Sequence, residues 1–334
     1  MRLCLVSLMF LSVHAGSVAA STYTVTATSG GGTCTPGSTT DADCTLAAAI
    51  DATADGDTIR FAPPVQGQTI VVGSGFPDVL PASVTIDGSP NGVTLDGAAS
   101  YTIFYIQAGL TVVLSHLTLQ NGLGSSGGGA IHTDGNVTID SCTLNNNAAI
   151  DDGGAIYNLS NGTLTITNST LASNAATVGG AIFNYGTIVI SNSTIAGNNA
   201  SSSGGGIANG GTLTLMSDIV AANVAPNDPD IDAEVAIPVT LGFNLFGTYP
   251  GNGPGDFEGD PLLASAGLAG NGGATRTLAL QSVSPARGAG NCGGNAGNPA
   301  IPAITVDQRG IARGAACTVG AFDMTAVFYA GFEK

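Results

Sequence analysis

The sequence predicts an all-β protein, a right-handed parallel β-helix, on three observations. A Gly-Gly-x-Ile unit recurs at intervals of 25, 26 and 25 residues within residues 116–223, beginning at Gly128, Gly153, Gly179 and Gly204. Each unit continues as an alternating run such as Leu164-Thr165-Ile166, whose apolar positions have a period of two rather than 3.6. Each unit closes with an asparagine, at Asn147, Asn174, Asn198 and Asn223. A fixed period of this length indicates stacked units that bury their apolar faces against one another.

The coil geometry follows from this pattern. Equivalent residues of successive coils would lie about 4.8 Å apart, which is the spacing of hydrogen-bonded strands. We therefore expect Ile156 and Ile182 to point inward against each other, with threonines on the outer face. The Gly-Gly pair suits a bend where φ is positive or where a Cβ would clash. A leucine-rich repeat is the alternative fold, but its helical half and its Leu-x-x-Leu-x-Leu pattern are missing.

Asparagines also recur inside the units, in register with the repeat. One set, Asn158, Asn184 and Asn209, lies two residues past each repeat isoleucine, and a second set, Asn168 and Asn192, ends the alternating runs. Stacking would align such amides into hydrogen-bonded ladders that satisfy the polar groups of the turns. The alternative for the Asn-Ser-Thr triplets at 168–170 and 192–194 is N-glycosylation.

The start of the chain has the features of a secretory signal, which we place at residues 1–20. Arg2 supplies the positive end, Leu3–Val13 the apolar core, and Val18-Ala19-Ala20 a small-residue cleavage site. That core is too short to span a bilayer, and no other stretch is a transmembrane candidate. We therefore expect an exported protein without a membrane span.

One helix is predicted, over Thr45–Ala54. Leu46, Ala49 and Ile50 form its apolar stripe, and Asp43 or Thr45 can cap it. The open end of a β-helix is an unpaired sheet edge, so a short amphipathic helix laid over it would block further pairing.

Composition narrows the class of partner. The chain has a formal net charge of −16, only 9% charged residues and 50 glycines. This charge excludes nucleic acid and anionic membranes as expected partners and permits cation binding.

We expect two local disulfides, Cys34–Cys44 and Cys292–Cys317, which suit an oxidising compartment. Cys142 occupies an interior repeat position and is expected to be a free, buried filler.

Several motifs resemble those of known proteins. Cys44-Thr45-Leu46-Ala47-Ala48-Ala49-Ile50 resembles the cap motif Cys-Ser-Leu-Arg-Glu-Ala-Ile of bacterial secreted β-helix proteins, although Ala47-Ala48 replaces Arg-Glu. The Gly-Gly-Ala-Ile units resemble polymorphic outer-membrane and adhesin repeats. Motifs from Gly242-x-Asn244-Leu245 to Val319-Gly320-Ala321-Phe322 follow the order of the choice-of-anchor domain. The resemblance implies a secreted or cell-surface location and brings no catalytic residues.

Together these features predict a single β-helix domain over residues 21–323. It would comprise an N-terminal cap at 34–61, the repeats at 116–223 and an irregular C-terminal cover at 247–323. Residues 324–334 resemble the Gly-Phe-Glu tails of secreted proteins, which look like a sorting tag, and the alternative is an ordinary chain terminus.

Catalytic residues are scarce. No Lys or Arg lies between residues 61 and 275, which argues against a lyase that needs a basic side chain on the stacked face. A hydrolase needs two carboxylates at suitable separation. The weak candidates are Asp151 and Asp152, with Asp134 and His132 on the preceding coil, and the alternative is a polar turn. Aromatic stacking positions are few, namely Tyr157, Phe183 and Tyr185.

The expected function is that of a monomeric, non-catalytic, adhesin-like scaffold, secreted or held on a bacterial cell surface. It would present a face of Thr, Ser and Asn to a carbohydrate or an extracellular matrix partner. One alternative is a carbohydrate-active hydrolase that uses the aspartates above. A second is a calcium-stabilised structural module, for which Asp228, Asp230 and Asp232 are the weak metal-ligand candidates, with no other cofactor expected.

Overall fold

A computed structural model describes residues 19–73, 79–233, 236–249, 251–294, 303–314 and 317–324. The predicted signal segment up to residue 18 and the tail from residue 325 lie outside the described residues. The chain forms a right-handed parallel β-helix whose single described helix is α1 (Leu46–Ala52). Within the described part of the chain, no helix has the length and apolar character needed to cross a membrane.

In chain order the strands are β1 (Thr22–Val25), β2 (Asp57–Phe61), β3 (Thr69–Val71), β4 (Val84–Asp87), β5 (Val93–Asp96), β6 (Phe104–Ile106), β7 (Thr111–Ser115), β8 (Leu117–Gln120), β9 (Leu123–Gly124), β10 (Ile131–Thr133), β11 (Asn136–Asp140), β12 (Thr143–Asn145), β13 (Ala148–Ala149), β14 (Ile156–Asn158), β15 (Thr163–Thr167), β16 (Thr170–Ala172), β17 (Ala175–Val178), β18 (Ile182–Asn184), β19 (Thr187–Ser191), β20 (Thr194–Ala196), β21 (Asn199–Ser203), β22 (Ile207–Asn209), β23 (Thr212–Met216), β24 (Ile219–Ala221), β25 (Ile231–Asp232), β26 (Val239–Thr240), β27 (Leu245–Phe246), β28 (Phe257–Glu258), β29 (Leu263–Ala269) and β30 (Thr277–Leu280).

Four parallel sheets form the walls of the helix, and the coils from β7 to β22 pass through all four in turn. Sheet 1 has the order β1-β2-β4-β7-β11-β15-β19-β23-β26, and sheet 2 the order β3-β5-β8-β12-β16-β20-β24-β27-β28. Sheet 3 has the order β9-β13-β17-β21, and sheet 4 the order β6-β10-β14-β18-β22-β25. Only β29 and β30, among the described strands, form an antiparallel pair.

The inward column of sheet 4 shows how the repeat builds the core. Ile156 pairs in register with Ile131 on one side and Ile182 on the other, and all three are fully buried, as expected. The first glycine of each repeat has φ between 61° and 67°. A Cβ on Gly153, for example, would lie 2.1 Å from the Ile156 carbonyl oxygen. The bend into sheet 4 therefore requires glycine on two grounds, its positive φ and its close backbone approach.

Two asparagine ladders run along the stack, and the second of them was predicted from the repeat. The first ladder consists of Asn147, Asn174, Asn198 and Asn223, whose amides donate from coil to coil at 2.9–3.0 Å. The second ladder consists of Asn158, Asn184 and Asn209, linked at 2.7–2.8 Å. All of these side chains are buried, so the ladders satisfy polar groups that water cannot reach.

Asn168 and Asn192 do not form the ladder expected of them. Each has a positive φ and a buried side chain that contacts the C-terminal part of the chain instead. Asn168 Oδ1 accepts from Arg313 at 2.9 Å, and Asn192 Nδ2 lies 3.6 Å from the sulfur of Cys292. This burial favours a structural role for both asparagines over glycosylation of the folded protein.

The N-terminal cap and both disulfides are present. Thr45, rather than Asp43, caps α1 by accepting a hydrogen bond from the Ala48 amide at 3.3 Å. The helix buries Leu46, Ala49 and Ile50 and contacts β1 and β2 at the N-terminal end of sheet 1.

The disulfide-bonded pairs are Cys34–Cys44 and Cys292–Cys317. Cys142 is free and buried, and desolvation raises the pKa of its thiol well above the ordinary value, so it is unreactive.

The C-terminal part of the chain lies along the outer face of sheet 2. It buries a row of three threonines that occupy the same register on successive coils. Thr143 Oγ1 donates to the Arg276 carbonyl at 2.5 Å, Thr170 Oγ1 donates to Gln308 at 2.6 Å, and Thr194 Oγ1 accepts from the Ala321 amide at 3.1 Å. A buried Asp307–Arg309 pair holds this segment together, and the Arg309 guanidinium lies 3.8 Å from the centre of the Phe322 ring.

Candidate functional site

The outer face of sheet 4 carries a row of ring side chains that follows the helix axis. We call Tyr105, His132, Tyr157, Phe183 and Tyr185 the aromatic row. The first four occupy the same outward position on successive strands β6, β10, β14 and β18. Neighbouring ring centres along these four are 5.2, 5.0 and 5.5 Å apart, and Tyr185 packs 4.7 Å from Phe183. The strand spacing therefore sets the spacing of the rings.

Glycines beside the aromatic row let its rings lie against the backbone. A Cβ on Gly127 would lie 2.7 Å from the Tyr157 ring, and a Cβ on Gly210 would lie 3.0 Å from the Tyr185 ring. The His132 ring is held by its own backbone contact, since Nδ1 lies 3.3 Å from the Gly127 carbonyl oxygen and must donate to it. The rings are partly exposed, and Tyr185 reaches 51% exposure. Neighbouring rings pack tilted or edge-to-face, with interplanar angles of 39–83°, and form a partly exposed ridge rather than a buried core.

A pocket of about 310 Å³ opens at the N-terminal end of the aromatic row, where the carboxyl ends of β6, β10 and β14 meet sheet 1. Tyr105 and His132 line it together with Val79, Ile106, Gln107, Ala108, Asp134 and Leu159. A mainly apolar and aromatic concavity with a few polar groups is the usual form of a small-ligand site.

Asp134 is the ionisable carboxyl group of this pocket. Its Oδ1 accepts from the Asn161 backbone amide at 3.1 Å, and its Oδ2 accepts from the Asn161 side chain at 3.0 Å. Two of the four lone-pair positions of an ionised carboxylate are thus used, and the residue is half-buried at the rim. Asn161, on the next coil, therefore orients the carboxylate and leaves it able to accept further hydrogen bonds.

Asp151 and Asp152 lie at the other end of sheet 4 from Asp134. Asp152 pairs with Gly127 and Val178 ahead of β14, whereas Asp134 follows β10. Burial raises the pKa of Asp152, and the charge of Asp151 raises it further. A fully hydrated turn would have left this pKa at its ordinary value. The strand and the Gly-Gly bend separate Asp152 from Asp134, whereas a glycoside hydrolase needs its two carboxyl groups about 5–9.5 Å apart.

The three calcium candidates do not converge. Asp230 Oδ1 accepts from the Asn223 amide at 2.9 Å and its Oδ2 accepts from Thr248 at 2.8 Å, whereas Asp232 accepts from Ser203 at 2.6 Å. Asp228 is exposed, with a φ of 45°. Across the described ranges, no group of three or more His, Cys, Asp or Glu side chains could hold a metal ion. The carboxylates of Asp230 and Asp232 serve the fold through internal hydrogen bonds.

The predicted polar face is divided between covered and open surfaces. On sheet 2 the threonine row lies under the C-terminal segment, so it is closed to a macromolecule. On sheet 1 an outward column remains exposed on five successive strands, formed by Thr111, Asn136, Thr163, Thr187 and Thr212. That column is flat, whereas sheet 4 offers rings beside a pocket, so sheet 4 is the better candidate site.

Sequence reasoning found part of this site. It singled out Tyr157, Phe183, Tyr185, His132 and Asp134 separately, but it did not place them in one row or pocket. Tyr105 was missed because it lies ahead of the regular repeats. The signal that could have found it is the register, since Phe104-Tyr105-Ile106 aligns with Ile131-His132-Thr133.

Comparisons with known proteins add no family to this geometry. No protein-family model, no curated protein and no solved structure matches this chain.

Proposed function

We propose that this protein is an exported, non-catalytic β-helix scaffold of the adhesin type that binds carbohydrate on the aromatic row of sheet 4. The observation that carries the proposal is the row itself, four rings at 5.0–5.5 Å spacing that lead into a pocket. The partly exposed rings offer apolar surface to the C–H groups of a sugar, and the rim groups of the pocket can bind its hydroxyls.

Export is supported by features outside the row. The two disulfides are typical of an oxidising compartment. The signal-like residues 1–20 and the resemblance of Cys44–Ile50 to the cap of bacterial secreted proteins favour secretion or display on a bacterial surface. The ordered motifs between residues 242 and 322 support membership of the choice-of-anchor group, whose members the chain resembles.

A glycan array on the purified protein, run beside an assay for reducing-sugar release, tests the proposal. We expect binding to extended oligosaccharides without release of reducing ends. Tyr157→Ala should weaken binding by roughly fivefold, because a sugar–ring contact is worth about 1 kcal/mol. Tyr101→Ala is the matched control, since this exposed tyrosine lies outside the row. No glycan binding, or an equal loss in both variants, would contradict the proposal.

The hydrolase is the second candidate, and one observation favours it. Asp152 has a raised pKa close to an aromatic surface, which is a property of general acids. The placement of Asp134 at the opposite end of the strands favours binding over catalysis. Reducing-sugar release by the wild-type protein would reverse that preference.

A further inference from the structure

We propose that the aromatic row binds a cationic amino-sugar polymer, an extended β-linked chain of glucosamine units lying along the helix axis, with an ammonium group at Asp134. This inference rests on the proposed carbohydrate function and specifies its substrate class. It requires an elongated ligand, an apolar stacking surface and a negative charge placed beside that surface.

The direction and length of the row select an extended chain. Ring centres repeat at 5.0–5.5 Å along the axis of the stack, which is close to the length of one pyranose unit in an extended β-linked polymer. Successive sugar units can therefore lie over successive coils. A branched or compact glycan would contact one or two rings only.

The charge around the row selects a cationic chain over an anionic one. Every strand of sheet 4, from β6 to β25, falls within the stretch between residues 61 and 275 that contains no Lys or Arg. Carboxylates flank the row at both ends of its strands, with Asp134 on one side and Asp151 and Asp152 on the other. A uronic acid polymer would meet like charge there without a basic residue to receive it.

Asp134 is placed to bind the ammonium group of the sugar that enters the pocket. Its two hydrogen bonds from Asn161 hold the carboxylate at the rim beside Tyr105 and His132, with lone pairs still available. Aromatic faces attract ammonium groups through their quadrupole, so Tyr105 adds to the same preference. An N-acetylated unit would lose both of these interactions while keeping its stacking.

Calorimetric titration with three hexamers of the same β-1,4 backbone tests the inference. These are glucosamine hexamer at a pH at which its amines are protonated, N-acetylglucosamine hexamer and cellohexaose. We expect glucosamine hexamer to bind more tightly than either neutral hexamer, by about two- to fivefold for each ion pair formed, which is the range for exposed ion pairs. This advantage should shrink as salt is added. Asp134→Asn should remove most of the advantage, because the amide can still hydrogen-bond a neutral hexamer but carries no charge to attract an ammonium group. Asp51→Asn, an exposed aspartate on α1, is the control for net charge.

The outcomes separate the two proposals. Equal affinity for the three hexamers, or a preference that survives in Asp134→Asn, would overturn the amino-sugar inference and leave carbohydrate binding intact. Tighter binding of either neutral hexamer would also overturn it. Failure of the wild-type protein to bind any of the hexamers or any glycan on the array would overturn both.

Discussion

The Asn223 side chain donates a 2.9 Å hydrogen bond to Oδ1 of Asp230, so a carboxylate terminates the first asparagine ladder. Each side-chain amide of this ladder donates a hydrogen bond to the next coil. The last amide therefore needs a group that accepts a hydrogen bond and has no N–H of its own to satisfy. An ionised carboxylate only accepts hydrogen bonds, which suits this position. Asp230 is 1% exposed, and the Asn223 backbone amide also donates to it at 3.2 Å.

Asp230→Ala should therefore destabilise the protein by about 1–3 kcal/mol, because it leaves buried amide donors of Asn223 without an acceptor. Asp230→Asn keeps one acceptor oxygen and should cost less. Denaturant unfolding measures the effect, with Asp151→Ala as the exposed control, since Asp151 has no positive φ. If added calcium raised the wild-type unfolding temperature and had no such effect in Asp230→Asn, Asp230 would be a metal ligand after all.

The second ladder has an incomplete start, which predicts a stabilising substitution. Asn158 Oδ1 is buried and accepts no hydrogen bond from the described residues, because Thr133 precedes it in register and bonds locally to Gly135. Thr133→Asn would place an amide donor next to Asn158 Oδ1, in the same way that Asn158 Nδ2 donates to Asn184 Oδ1 on the following coil. We expect a gain of about 1 kcal/mol in unfolding free energy.

The control for that substitution is Thr138→Asn, which makes the same change on the outer face of sheet 1 and reports the loss of strand propensity alone. A Thr133→Asn protein no more stable than Thr138→Asn would show that the site cannot extend the ladder.

The His116–Asp87 pair predicts a pH-dependent contribution to stability. The two side chains are 3.1 Å apart; the hydrogen bond to His116 lowers the pKa of Asp87, and the same bond raises the pKa of His116, aided by the charge of Asp140. The Asp87 contribution is present above its unfolded pKa of about 4 and is lost as pH falls toward its lower folded value. The His116 contribution is present below about pH 6.5 and is lost as pH rises through its raised folded value.

His116→Asn tests this pair, since asparagine tolerates the φ of 53° at this position. The variant should be less stable than wild type near pH 5–6, by under about 1 kcal/mol because both side chains are partly exposed. The difference should shrink as pH rises through the raised folded pKa of His116. Unfolding midpoints measured across this range would contradict the assignment if the difference were constant or grew with pH.

Asp151→Asn combined with Asp152→Asn should leave glycan binding nearly unchanged, and neither form should cleave polysaccharide. Because the folded state raises the pKa of Asp152, its ionised form is disfavoured by folding, so the double variant should unfold at the same temperature or slightly higher near neutral pH. Activity and thermal unfolding are measured on the same samples. Cleavage by wild type that disappears in the variant would establish the enzyme.

The repeat by itself determined the coil. The alternation in runs such as Leu164-Thr165-Ile166 and the constant spacing of the glycine pairs specify which side chains point inward, since a slip of one residue would expose the entire apolar column. The ladder that begins at Asn158, the N-terminal helix and both disulfides followed from equally local or periodic patterns.

Tertiary structure alone decided which outer face is open. Thr143 and Thr170 look like the exposed threonines of sheet 1 in sequence, yet Gln308 contacts both from more than 130 residues away. Tyr105 joins His132 and Tyr157 only because three coils stack in register. Asp230 meets Asn223 because the chain between them turns back within one coil. Such contacts depend on where distant segments return, and no local pattern in the sequence encodes that path.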